Sequence, residues 1–455
     1  MTDASDKPPS SQPKRELSLF DSTSIVVGII IGAGIYQTAP DVAKAMPYWW
    51  GVPCIWIVGG LLSLCGALCY AELATAYPRE GGDYVYFNRA YGPWAGFLFG
   101  WVQLTIVRPG DIAVMAFAFA TYARTLWDPF AGTSWAESSL TSTLYAAAAV
   151  VVLTGVNILG VREGKWTQNI LTSVKALGLL SIVGVALAAP EASSAVEATS
   201  VLGTRPLSLA LILVLFTFGG WNEMAYVAAE VKDPRRNIVR ALVLGTTAVT
   251  GLYLLVNGAF LWTLGHEGMA ASEAVATDTV SAVFPVSGAR LIAVLVCVSA
   301  LGAVNGLVLT GSRISYAVGA DHRAFRLLGR WHLKTGTPVW ALLVQGAIAV
   351  TLIVRLGSFM NAVLYTAAAV YSFYLATCIA VVVLRIREPD VERPYRVTAY
   401  PLPVLIFGAS CVFLIYSAVN YMWSFMKYGP LVAAALCGIM LVGVLVYLLG
   451  RRRMQ

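Results

Sequence analysis

The stretch V27-G-I-I-I-G-A-G-I35, read together with L215-F-T-F-G-G-W-N222, decides how this chain folds. Each is a glycine-rich interruption inside an apolar run long enough to cross a bilayer. Glycine loosens the helical ladder, and unwound backbone at membrane depth survives only where it is buried in protein or lines a cavity. Two such breaks at matching places in two halves of a chain point to a binding site near the bilayer midplane.

Working outward, the composition is that of a membrane protein. Apolar residues make up 58% of the 455 residues and charged residues 12%. A span needs about 20 apolar residues. Twelve are predicted, at 20–44, 50–77, 94–123, 139–160, 168–190, 207–229, 238–264, 285–316, 338–355, 359–385, 399–422 and 429–450. The expected fold is therefore an all-α polytopic membrane protein.

Splitting the first ten spans five and five puts one break in the first helix of each set, the first and the sixth. Five is odd, so the second set starts on the opposite side, which is a 5+5 inverted repeat. The expected organisation is a disordered polar tail (1–17), a first repeat (18–190), a second repeat (206–385), two extra helices (397–450) and a basic tail (451–455). The tail is no signal peptide, because the apolar stretch after it is too long.

The net charge of +7 belongs to the membrane, not to nucleic acid. Of 31 Lys and Arg, 23 fall on the side of the amino terminus, six on the other side, and two, Arg108 and Lys175, within spans. This bias argues that both termini are cytoplasmic, and the expected location is the plasma (inner) membrane. All seven cysteines lie in predicted spans, with no ligand spacing, and His266, His322 and His332 lie in loops. No metal or cofactor is expected. An enzyme is not indicated either: no nucleophile–base pair is visible, and G32-A-G34 does not follow a strand.

The breaks carry two readings. Gly28 and Gly32 form a GxxxG packing motif. Alternatively, Gly32-Ala33-Gly34 frees N–H groups at the positive end of a half-helix, suited to a carboxylate. Phe216, Thr217, Phe218 and Gly219 free carbonyl oxygens suited to an ammonium. Together they describe a receptor for an α-amino acid backbone.

Ionisable residues within spans default to function. Glu72 lies near the inner end of the second span. Arg108 and Asp111 share a face at i and i+3 and are able to pair with each other. Glu223 follows the second break directly, and Glu230 precedes K232-D-P-R-R236, where an ion pair at a cytoplasmic gate is expected. Lys175 has no acidic residue within seven positions on its span. It stands where a coupling sodium ion would sit, or titrates and carries a proton, or snorkels to an interface.

These motifs carry a resemblance. G28-I-I-I-G-A-G-I35, C69-Y-A-E-L73 with G81-G-D-Y84, Arg108-Pro109 with F119-A-T-Y122, Lys175, F216-T-F-G-G-W-N222 with D233-P-R-R-N237, V304-N-G306 with S312-R313, and RIREPDVERP from Arg385 to Pro394 occur in family order. From about residue 17 onward the chain resembles the L-type amino acid transporters, the light-subunit branch of the amino acid–polyamine–organocation superfamily, in its bacterial form.

The resemblance implies that the amides of Ala33 and Gly34 hold a substrate carboxylate. Carbonyls of Ile30 or Ile31, Phe216 and Gly219 would hold the amino group, with Phe216 closing as a gate. It also enrols Gly32, Phe218, Asn222, Met115 and Leu307 in the pocket. Lys175 takes the family's lysine position at the vacated sodium site, implying sodium-independent exchange.

Some positions depart from the family. Ala33 stands where serine is frequent. The loop W127-D-P-F-A-G-T-S-W-A-E137 lacks the cysteine that ties animal members to a heavy chain, so no disulfide-linked heavy chain is expected. Asp111 and Glu223 occupy mostly neutral positions, and the aromatic pair expected on the tenth span appears as Ala368 and Tyr371. The expected function is exchange of amino acids, with proton-coupled uptake, polyamine or cationic amino acid exchange, and a membrane amino acid sensor as alternatives. A sensor should carry a soluble signalling domain, and the longest loops here are far shorter than one.

Overall fold

The computed structural model describes residues 17–452 apart from 79–81, 130, 133–138, 160–164, 190–201, 204, 286, 323–324, 331, 333–336 and 426–428. Its elements in order are α1 Leu19–Ile30, α2 Gly34–Ala45, α3 Gly51–Ala76, α4 Asp83–Tyr91, α5 Pro93–Val102, a π turn Gln103–Val107, α6 Arg108–Leu126, α7 Ser139–Ile158 and α8 Lys165–Ala188. The second half runs α9 Leu207–Thr217, a 3-10 stretch Trp221–Glu230, α10 Pro234–Ala271, α11 Val275–Ser281, α12 Ser287–Asp321, α13 Val339–Leu356, α14 Phe359–Arg387, α15 Leu402–Phe425 and α16 Gly429–Arg452.

The fold is all-helical. Every one of the twelve predicted spans coincides with a helix or a broken pair of helices. Ten described helical spans are long and apolar enough to cross a membrane, and the bent pair α1–α2 raises this to eleven. The described apolar part of α8, Thr172–Ala188, is a shorter helix that corresponds to the fifth predicted span. The protein is therefore a multi-pass membrane protein.

Local chemistry accounts for the helix limits. Ser18 starts α1 in a capping box: its Oγ accepts the Asp21 N–H (3.2 Å), and Asp21 Oδ2 accepts the Ser18 N–H (3.0 Å). Just before it, Leu17 pairs with the chain beyond the second break, donating to Glu230 O (3.0 Å) and accepting from Lys232 N (2.8 Å). Leu17, expected within the disordered tail, is thus paired, and residues 1–16 lie outside the described residues.

On the third span Pro109 brings no N–H for the carbonyl of Thr105, and its ring crowds that carbonyl. The ladder widens there, and the Arg108 N–H bonds Gln103 O in a π turn. The core forms where α6 packs on α12, α3 on α10, and α1 on both α8 and α10. The last helix, α16, rests mainly on α5 and α15 and leaves Leu431, Leu441 and Leu449 exposed, as a lipid-facing helix does.

The loop at 127–137 falls partly outside the described residues, and beyond α12 residues 325–329 fold as a tight turn.

Candidate functional site

Both breaks exist as breaks. At the first, Ile31 leaves the helix with ψ 85°, and α1 and α2 bend by 50°. The Gly32 N–H turns back to Ile30 O (2.8 Å), and the next bonded amide is Tyr36 to Ala33 O (3.2 Å). The N–H groups of Ala33, Gly34 and Ile35 between them begin α2 with no backbone acceptor, as the first amides of any helix do.

At the second break α9 ends at Thr217, and Gly220 takes φ +111° before the 3-10 stretch. Only glycine holds that conformation cheaply. A Cβ there would also lie 2.5 Å from Ile29 Cγ2, so the two breaks touch at this glycine.

Three further contacts stitch the breaks together. Thr38 and Thr217 share a hydrogen bond of 2.9 Å between their hydroxyls. Buried Tyr253, on α10, donates from its hydroxyl to Ile30 O at 2.8 Å and lies 3.4 Å from Thr217 O. Thr217 Oγ1 would sit 3.2 Å from any Cβ placed on Gly34. Tyr253 has no signature in the chain around it; only the helix packing brings it to the breaks.

Beside the breaks lies a cavity of about 450 Å³. Its wall includes Ile30, Gly32, Gly34, Asp111, Met115, Lys175, Phe216, Gly219, Asn222, Glu223, Leu307 and Tyr371. It extends to Asp21 near the start of α1 and to Asp83 of α4, so it reaches the membrane face at which α1 begins. Met115 abuts the first break, with Sδ 3.7 Å from the position a Gly32 Cβ would take.

Four of the sequence-predicted residues stand behind this wall. Ile31 and Ala33 are buried. Phe218 turns into an aromatic cluster with Trp56 and Tyr253. On the tenth span the wall is made by Thr366, Ala367, Val370, Tyr371, Phe373 and Tyr374, leaving Ala368 behind it. Tyr371 donates its hydroxyl to Ile212 O (3.1 Å), which fixes its ring against α9.

The charged residues pair differently from the local arrangement open in the sequence. Arg108 does not close on Asp111. Its Nη2 donates to Glu223 Oε1 at 2.7 Å, and its Nε donates to Gln103 Oε1 at 3.1 Å. Lys175 Nζ lies 3.5 Å from Gly28 O, on the turn before the first break, and Thr172 one turn earlier donates to Ser24 O.

Glu72 is a structural anchor away from the cavity. It accepts two bonds from Arg385 (2.8 and 2.5 Å) and one from the Val397 N–H (2.7 Å). Near the end of the sixth span Arg235 and Glu392 form an ion pair (2.8 Å). Among the described residues no group of His, Cys, Asp and Glu is arranged to hold a metal ion.

At the cavity's far end Asp83 accepts from Tyr226 (3.0 Å) and Thr377 (3.0 Å). Burial nevertheless pushes its carboxyl up to about 6, against the hydroxyls that hold it down.

Comparison with known proteins agrees with this geometry. The amino acid permease family matches residues 17–445. The chain is 31% identical over 409 residues to the b(0,+)-type amino acid transporter 1 of Mus musculus, covering 88% of this chain and 82% of that one. It is 33% identical over 447 residues to the large neutral amino acids transporter small subunit 2 of Homo sapiens, covering 96% and 80%. Two helix breaks lining one cavity, in a chain matched along nearly its whole length, place the protein: it belongs to the amino acid permease family and is a transporter, not an enzyme.

Proposed function

We propose that the protein exchanges amino acids across the plasma membrane, without sodium, by alternating access around the two breaks. One observation carries this reading: Gly34, whose N–H begins α2 without a backbone acceptor, lines the same cavity as Phe216, Thr217, Gly219 and Gly220 of the second break, with Ala33 buried next to it in the chain. The amides of Ala33 and Gly34 would take the carboxylate, and carbonyls near Phe216 and Gly219 the ammonium. Ile30 O already accepts the Tyr253 hydroxyl, so of the carbonyls considered it is the one with least capacity left.

Three observations support the remaining parts. With both termini cytoplasmic, as the Lys and Arg bias implies, the cavity opens inward. Phe216 then lies on the outer side, edge-on to Phe359 at 6.1 Å, as a closed outer gate would. The two five-helix sets, 18–190 and 206–385, would be the inverted halves that rock about the site. Lys175 beside Gly28 O supplies a fixed positive charge where a coupling ion would otherwise be needed. Loop 127–137 contains no cysteine, so the carrier would work without a disulfide-linked heavy chain.

The test is counterflow in liposomes holding the purified protein. Labelled amino acid should enter only when unlabelled amino acid is inside, equally well in sodium and in choline. Uptake into empty vesicles driven by an inward proton gradient would instead favour proton coupling.

A further inference from the structure

We infer that the cavity selects amino acids with a cationic side chain and that Asp111 is the residue that reads that charge. The inference rests on the exchange reading above and adds to it the substrate class.

The first support is position. Met115 touches the first break, and Asp111 lies four residues earlier on the same helix. It therefore shares the Met115 face, about 5.4 Å, one turn, along α6. A substrate whose carboxylate sits on the α2 amides would place its Cα near Gly32. A lysine-type stem of four carbons then spans the turn to the Asp111 carboxylate.

The second support is the state of that carboxylate. Arg108, its neighbour, directs Nη2 to Glu223 and Nε to Gln103. Asp111 has neither an ion pair nor a hydrogen bond among the described residues. A carboxylate in a mostly apolar cavity without a partner is costly, and a cationic ligand group relieves that cost.

The third support is the field of the whole cavity. Its wall holds the carboxylates of Asp21, Asp83, Asp111 and Glu223 against the two cations Arg108 and Lys175. A cleft with that excess concentrates cations. The α2 amides add the remaining constraint: a diamine without a carboxylate would leave them without a partner.

The experiment measures exchange of labelled lysine and labelled alanine by the purified protein in liposomes, each against its own internal counter-substrate. Lysine should be carried with the higher kcat/KM. Asp111→Asn should lower the lysine-to-alanine ratio of kcat/KM at least tenfold, and Asp111→Glu should restore most of it. An unchanged ratio in the Asn variant overturns the proposal. So does a wild-type protein that exchanges alanine but not lysine or arginine, or one that prefers putrescine. A wild type that exchanges no amino acid overturns the exchange reading underneath.

Should the Asn variant fail to insert, thermal stabilisation of the wild type in detergent decides the matter. Lysine should stabilise more than norleucine, which has the same stem without the ammonium. Equal stabilisation by the two overturns the proposal.

Discussion

Arg108 and Glu223, 115 positions apart, form one ion pair at 2.7 Å across the cavity. Arg108 is set in place by the π turn that Pro109 forces, and Glu223 by the 3-10 stretch that follows Gly220. The pair thus ties the third span to the second break, the segment that alternating access requires to move. Its side chains are only 5% and 17% exposed, so solvent screens it weakly.

Neutralising one partner leaves the other buried without compensation, at a cost of about 3 kcal/mol. Glu223→Gln should lower the thermal stability of the purified protein and cut exchange more than tenfold. The charge-swapped double variant Arg108→Glu with Glu223→Arg should recover part of both. Single variants as stable as the wild type would show that the pair is not a tie.

The glycines at the breaks make a graded prediction. A Cβ on Gly34 would meet Thr217 Oγ1 at 3.2 Å, a contact that needs only a small shift. On Gly219 it would meet Phe216 O at 2.9 Å, and on Gly220 it would meet Ile29 Cγ2 at 2.5 Å with φ at +111°. Alanine at 220 should therefore abolish exchange, alanine at 219 should reduce it strongly, and alanine at 34 should be the mildest. Valine at 34 or 219 should abolish it in protein that still inserts, because the branched side chain blocks close approach. Counterflow on matched amounts of inserted protein checks the order.

Tyr253→Phe removes one hydroxyl and little volume. It frees the carbonyls of Ile30 and Thr217 that the hydroxyl holds near one another. A single buried hydrogen bond contributes about 1 kcal/mol, so the fold should survive. The breaks would lose a shared restraint, and exchange should fall several-fold with KM rising. A variant with the wild-type KM would remove Tyr253 from the positioning of the site.

The helices and breaks were legible because their signals are local: apolar length, glycine clusters and proline. Every predicted span has its helix for that reason. What was not legible depends on rotation and on packing between distant segments. Phe218 and Ala368 lie on the predicted segments but face away from the cavity, since one residue along a helix turns a side chain by about 100°. Arg108 had a local partner at i+3, yet the widened turn before it left Glu223 the nearer acid. Tyr253 was invisible because a tyrosine amid apolar residues on the seventh span is ordinary until α10 crosses both breaks.

Asp83 gives a pH prediction whose sign is fixed. The folded carboxyl is raised from 3.8 to about 6. Between those values the folded protein binds more protons than the unfolded chain, so stability falls as pH rises through the window and stays low above it. The contribution is on the order of 2–3 kcal/mol. Wild-type protein should melt at a lower temperature at pH 7.5 than at pH 5, and Asp83→Asn should flatten that difference. If the variant keeps the wild-type slope, the titrating group is elsewhere.

Lys175 tests coupling. Its Nζ lies 3.5 Å from Gly28 O, four residues before Gly32, so its charge bears on the end of α1 that must move when the cavity closes. Lys175→Ala removes that charge and leaves the α2 amides untouched. Exchange should fall at least tenfold, while stabilisation of the protein by bound amino acid should change far less. Sodium should not stimulate the wild type. If alanine at 175 leaves a space that a sodium ion fits, sodium should partly restore exchange in the variant alone. Wild-type uptake that requires sodium would overturn the assignment, because it would demand a cation site despite the resident ammonium.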